Sequence, residues 1–226
     1  KRNSSSRNSG TYISGSPQPN SPPLTAEPGS SELAFANSNQ VIVEEIFVGT
    51  EYRFFVINDE CISIIKRVPA HVIGDGVNTI EKLVEIKNLN PLRSKGYVTP
   101  VELVTLGEFE INFLKEKGLN KDYIPKLNEE VQLRKNSNVS TGGDTIEMFE
   151  QVPQFYKDVA VKATKALGVN ICGIDLIVDD LYSKVKDYTI IEANFNPAIQ
   201  MHTYPLVGYG KTPAKDILEL LNNKEK

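Results

Sequence analysis

GIDLIV at residues 173–178 and IIEANFNP at residues 190–197 decide how this chain is read. Each is a run rich in β-branched side chains, the pattern of a strand with at least one buried face. The stretch between them carries Asp179, Asp180, Ser183, Lys184, Lys186 and Asp187 and suits a connecting loop. Side chains two apart on a strand share a face, so Glu192 and Asn194 project together. If the two strands pair, Asp175 comes beside them. Two carboxylates and an amide oxygen then form a hard, all-oxygen donor set of the kind that holds Mg²⁺ with phosphates. An isolated acid on a strand is ordinarily a solvated position. These acids lie inside apolar runs, where an unpaired charge is costly, and that favours a metal site.

Working outward, other strands and helices follow from the same patterns. Residues 41–43 (VIV), 52–57 (YRFFVI) and 61–65 (CISII) read as strands, the last two joined through Asn58-Asp59 as a hairpin. Gly74-Asp75-Gly76 is a tight turn. Thr79 is placed to cap a short helix over 80–86, and a second helix is expected over about 106–117, stopped by Gly118. Residues 153–167 have helical periodicity, with Phe155, Val159, Ala163, Ala166 and Leu167 on one face and Gly168 as terminator. Thr212-Pro213 opens a last helix as cap and first-turn proline. The expected fold class is α+β, a mainly antiparallel sheet flanked by helices.

Residues 1–31 are dominated by Ser, Pro, Asn and Gly and lack the apolar content to offset the entropy of ordering, so they read as a disordered polar leader. Residues 32–226 form the expected folded domain. Across its 226 residues the chain has 25 Lys+Arg against 29 Asp+Glu, a balance that argues against a protein built mainly to hold nucleic acid. No apolar run has the length of a membrane span. Cys61 and Cys172, the only cysteines, form no metal-ligand or dithiol spacing and read as buried free thiols of a reducing, cytoplasmic setting. His71 and His202 read as structural.

Three further stretches carry chemistry. In VEEIFVGTE (43–51), two acids at a strand end and a third at Glu51 suit a nucleotide: carboxylates accept from an adenine amino group or ribose hydroxyls. In LRKNSNVSTGGD (133–144), small hydroxyl residues and paired glycines let a backbone approach an anion, and Arg134 adds a charged donor. In IKRVPAH (65–71), Arg67 can meet an anionic substrate.

Taken in order, VEEIFVGTEYRFFV, KRVPAHVIGDG, LRKNSNVSTGGD, GIDLIV and IIEANFNPAIQMHTYP resemble the C-terminal part of the ATP-grasp ligases. Cyanophycin synthetase shares several phrases. NPLR (90–93), YVTP (97–100) and Leu106-Gly107 point more narrowly to the glutathione synthetase module of enzymes that fuse glutamate–cysteine ligase to glutathione synthetase. The resemblance spans residues 32 to 226. It implies that Asp175, Glu192 and Asn194 hold Mg²⁺ (or Mn²⁺) bridging the phosphates of ATP. It further implies that Glu44 receives the adenine amino group with the backbone of Glu45 and Phe47 nearby, and that Glu51 holds the ribose. Arg134, as the catalytic cation, and Asn138, Ser140, Thr141 and Gly142 would face the phosphates and the acceptor peptide, and Arg67 a carboxylate. The implied reaction joins glycine to γ-glutamylcysteine with ATP, through an acylphosphate, in a cytoplasmic enzyme that acts on small molecules and forms a homo-oligomer. Two alternatives are a cyanophycin-synthetase-like ligase and a non-catalytic nucleotide-binding remnant. The family also needs an earlier lobe with a phosphate-binding lysine and a glycine-rich flap. No such strand or flap is found upstream of Val41, so 32–226 corresponds to the C-terminal portion alone.

Overall fold

The computed structural model describes residues 35–36, 38–41, 47–96 and 98–223. The chain divides into two compact units, 1–48 and 49–226. The expected leader over 1–31 and most of the expected strand at 41–43 lie outside the described residues, as do Glu44 and Glu45. All elements named below belong to the second unit.

That unit is built on a five-stranded sheet with order β7-β2-β1-β8-β9 and every neighbour antiparallel. β1 (Thr50–Ile57) and β2 (Glu60–Val68) form the expected hairpin through Asn58-Asp59, with Asn58 at φ 52°. β8 (Ile171–Val178) and β9 (Tyr188–Asn194) are the two strands that opened the sequence reading. They pair side by side, with β9 at the sheet edge. β7 (Asp144–Glu147) forms the other edge against β2.

Alternation along the strands gives the sheet two unlike faces. Tyr52, Phe54, Val56, Cys61, Ile64, Cys172, Ile174, Leu176 and Val178 make the apolar face. It packs on the helix α3 (Gln154–Ala166) through Tyr156, Val159 and Ala160. This face of α3 differs in part from the expected one: Val159 and Ala163 pack on the core as expected, and Phe155 and Leu167 do not. The buried stripe is Tyr156, Val159, Ala160 and Thr164, while Phe155 and Leu167 are 41% and 46% exposed. The stripe follows i, i+3, i+4, i+8 spacing. Thr164 can join it because its hydroxyl donates to the Ala160 carbonyl at 2.9 Å, so the buried polar atom is satisfied.

Between β2 and β7 the chain makes a long excursion over residues 69–143. It contains β3 (His71–Ile73), α1 (Ile80–Lys87), β4 (Arg93–Ser94), β5 (Val101–Glu102), α2 (Glu108–Glu116), β6 (Glu130–Gln132) and a single 3₁₀ turn, Val139–Thr141. β3 pairs with β6, and Ala70, Val72, Ile80, Leu83, Val84, Val104, Leu114, Val131 and Leu133 form its own core. Thr79 caps α1, accepting from the Lys82 amide at 3.2 Å, as expected. After β9 come the short α4 (Gln200–Thr203) and α5 (Pro213–Asn223), which begins at the expected proline. Among the described residues no helix is long and apolar enough to cross a membrane.

Candidate functional site

The second face of the sheet carries charge. Arg53 on β1 is the direct partner of Asp175 on β8, which is in turn the direct partner of Glu192 on β9. Two residues before Arg53 on β1, Glu51 is opposite Arg67 of β2. Strand pairing alone therefore brings three acids and two guanidinium groups onto one face. Asn194, opposite Gly173, completes the row.

Arg53 holds Asp175 with both ends of its fork, Nε donating to Oδ1 and Nη2 to Oδ2 at 2.7 Å. Arg67 Nη1 donates to the same Oδ2 at 3.1 Å and is ion-paired with Glu51 Oε1 at 2.7 Å. Arg67 Nη2 donates to Asn138 Oδ1 at 2.5 Å, and Ser137 Oγ donates to Glu51 Oε2. With its amide oriented to satisfy both neighbours, Asn194 accepts from Arg53 Nη2 at 3.1 Å and donates to Glu192 Oε1 at 3.2 Å. Arg53, Arg67 and Asp175 are buried, whereas Glu192 on the edge strand is exposed. Burial opposes the charge on Arg53, but the hydrogen bonds and charge of Asp175, with Glu192 and Glu51 adding to them, outweigh it and raise its pKa. Such fork-on-carboxylate pairs are the strong ones in a low-dielectric setting.

Gly173 has a spatial reason to lack a side chain: a Cβ there would sit 2.8 Å from Pro197 Cβ and 3.1 Å from Arg53 Cδ. Further along this face, His202 of α4 is fully buried. Its Nδ1 lies 2.8 Å from Ser63 Oγ and its ring packs edge-on against Phe55 with centroids 5.0 Å apart. Burial, helped by the Arg53 cation, pushes the His202 pKa down to about 3, so its ring is neutral.

The donor set suits a hard dication. Two carboxylates and one amide oxygen share a face, and a carboxylate offers about four acceptor positions, so the three arginine hydrogen bonds leave Asp175 acceptor capacity. The face also suits an anion, since Arg67 Nε is buried with no hydrogen-bond partner.

Of the site residues expected from sequence, Asp175, Glu192, Asn194, Glu51, Arg67 and Asn138 come together here. Arg134 does not join them: its Nε donates to the buried Glu110 of α2, and its guanidinium lies 5.7 Å from the Phe109 ring. Glu110 also accepts from the Gly107 amide at 2.8 Å and from Thr105 at 3.1 Å, so Arg134 completes the entry to α2. Ser140 is exposed on the 3₁₀ turn. Thr141 Oγ1 donates to Asn136 Oδ1 and to the Asn138 carbonyl. The amides of Gly142 and Gly143 donate to the carbonyls of Val139 and Asn138 at 3.2 and 3.1 Å, so these glycines serve close packing rather than offering free donors. Glu44 and Glu45 lie outside the described residues, and Phe47 belongs to the first unit.

Sequence reading missed Arg53 and Ser137. The signal for Arg53 is the one that singled out Asp175, a charge within the apolar run YRFFVI. Ser137 lies in the hydroxyl-rich stretch 133–144, but nothing local distinguishes it from Ser140 and Thr141.

No family model matches the chain. Over 194 residues it is 47% identical to the glutathione biosynthesis bifunctional protein GshAB of Clostridium perfringens, covering 85% of this chain and 25% of that protein. Its identity to the Pasteurella multocida protein of the same name is 45%, over 84% of this chain and 26% of the relative. A solved bifunctional glutathione synthetase from Pasteurella multocida superposes with a TM-score of 0.71 at 42% identity, covering 86% of this chain and 27% of that one. The chain thus spans about a quarter of the length of the curated relatives it matches, and over that span it shares sequence and fold with them.

Proposed function

We propose that this homologue of the bifunctional glutathione-synthesis proteins carries the metal- and phosphate-binding part of an ATP-grasp carboxylate–amine ligase, residues 32–226 forming its C-terminal portion. The observation that carries the reading is the row Arg53–Asp175–Glu192, three directly paired residues on adjacent strands with Asn194 beside them. It puts oxygen donors for a cation next to fixed guanidinium groups for an anion. Mg·ATP is a ligand that needs both.

In this reading Asp175, Glu192 and Asn194 hold Mg²⁺ or Mn²⁺, which when bound neutralises charge on the phosphates. Arg53 fixes the Asp175 carboxylate and so presents its remaining acceptor sites to the cation. Arg67, anchored by Glu51, Asp175 and Asn138, has its unpartnered Nε for a phosphate or substrate carboxylate oxygen. The reaction is the ligation of glycine to γ-glutamylcysteine. The γ-phosphoryl of ATP passes to the cysteinyl carboxylate, ADP leaves, and the glycine nitrogen attacks the acyl carbon. Phosphate departs with the C–O bond, and the nitrogen loses a proton to give glutathione. Chemistry of this kind depends on positioning and charge neutralisation more than on a protein nucleophile. A cyanophycin-type acceptor would use the same cation and phosphate positions, and only the acceptor contacts would differ.

Glu192 gives the cleanest test. It is exposed, so Glu192→Ala removes a metal ligand and leaves the core intact. Asp175→Ala would instead strip the partner from two buried arginines, at a cost of about 3–5 kcal/mol. Isothermal titration of Mg·ATP into the wild-type chain is expected to show binding that Glu192→Ala abolishes. Equal heats in the two proteins would remove the cation site from the reading.

A further inference from the structure

The excursion over 69–143 leaves and rejoins the sheet at a narrow neck, where Val68 and Asp144 are direct strand partners. Three separate elements of the excursion converge on the Asp144 carboxylate. Lys87 Nζ at the end of α1 donates to Oδ2 at 2.8 Å, Arg93 of β4 donates through Nη2 to Oδ1, and His71 Nε2 of β3 lies 3.8 Å away. The same two cations also tie backbone together. Lys87 Nζ donates to the His71 carbonyl at 2.8 Å, and Arg93 Nη1 donates to the carbonyls of Glu102 and Gly142 at 2.9 and 3.1 Å. Burial pushes the Lys87 pKa down, against the pull of Asp144 and Glu130, so this ammonium depends on the acids around it.

The last residues of the excursion connect this neck to the candidate site. Ser137 and Asn138 reach Glu51 and Arg67. They are wedged against the neck by Gly143, where a Cβ would meet the carbonyl oxygens of Ser137, Asn138 and Val68 at 2.8–2.9 Å. Val68, Asp144 and Gly143 thus connect the clamp to Arg67 through a chain of direct contacts.

We propose that Asp144 is a positioning residue: by clamping the neck it holds Ser137 and Asn138 over Glu51 and Arg67, and so fixes the guanidinium that backs Asp175. Its relevance to ligation rests on the ligase reading above; the clamp itself does not.

The test reads Arg67 directly, in the full chain and without ATP. In ¹⁵N spectra of the arginine side chains, with Arg67 assigned by its loss in Arg67→Lys, its hydrogen bonds to Asp175 and Asn138 and its ion pair with Glu51 should hold rotation about Cζ–Nε slow. Asp144→Asn is expected to speed that rotation by about tenfold or more, the order of effect of losing a charge-assisted hydrogen bond. Asp144→Glu should restore part of the restriction, and Lys82→Met, which removes only the exposed Lys82–Glu85 pair, should change nothing. A role confined to stability would lower the melting temperature of Asp144→Asn and leave Arg67 slow. If Asp144→Asn does not fold, Lys87→Met takes its place with the same expected direction. Unrestricted Arg67 in the wild type, or slow Arg67 in a folded clamp variant, overturns the proposal. A wild-type chain that fails to bind Mg·ATP would count against the ligase reading alone.

Discussion

Asp175 is both a structural anion and a candidate cation ligand, and the two roles are compatible because of who its neighbours are. A carboxylate buried in an apolar strand must be paired or neutralised. Here Arg53 and Arg67 do the pairing, and they take three of its acceptor positions. His202 lies on the same face and is kept neutral by burial and by the Arg53 cation. The folded chain leaves this ring unprotonated down to about pH 3, whereas the unfolded chain protonates it near roughly 6.5. Between those values the unfolded state binds more protons, so stability falls as pH drops through the window, by about 1.4 kcal/mol per pH unit for one full proton. Urea midpoints measured from pH 7 to pH 4.5 should therefore decline less steeply in His202→Gln than in wild type. Parallel slopes would show that His202 titrates normally in the folded state.

At the scale of elements, the β8–β9 pair was legible because its information is local: two apolar runs, a polar connection, and acids at positions that alternation puts on one face. The pairing of Asp175 with Glu192 also needed the register, which shifts just after Asp175 and which no local pattern gives. The face of α3 was less legible. Phe155 and Leu167 look like core residues by composition, yet the helix turns them outward, because Tyr156 fills the core beside the sheet and Thr164 satisfies its own hydroxyl. The paired glycines at 142–143 were legible as special, but their reason was not. It lies in contacts with Val104, Ser137, Asn138 and Val68 that no local pattern reveals. Gly142 also sits at φ 88°, where a side chain is strained. Gly143→Ala is expected to lose roughly 1–3 kcal/mol of stability, the usual cost of forcing a methyl into filled space. A urea midpoint equal to that of wild type would show that the turn yields without cost.

Over the whole molecule, the least legible feature was the excursion between β2 and β7. A hairpin can be read from its turn, but the return of Asp144 to a place opposite Val68 depends on residues far apart in sequence. The same holds for Arg134, whose sequence neighbours suggested an anion contact and whose true neighbour is Glu110 on α2. The likeness to the bifunctional glutathione-synthesis proteins covers 84–85% of this chain and about a quarter of each relative's length. The charged sheet face is proposed to belong to a ligase that joins glycine to γ-glutamylcysteine. The most direct test is ADP release by the purified chain with Mg²⁺, ATP, γ-glutamylcysteine and glycine, each omitted in turn. Any release is expected to require every component and to be abolished by Glu192→Ala. Release indifferent to γ-glutamylcysteine and glycine would contradict the ligase reading, whereas no release under conditions where a full-length relative turns over would show that this portion does not turn over alone.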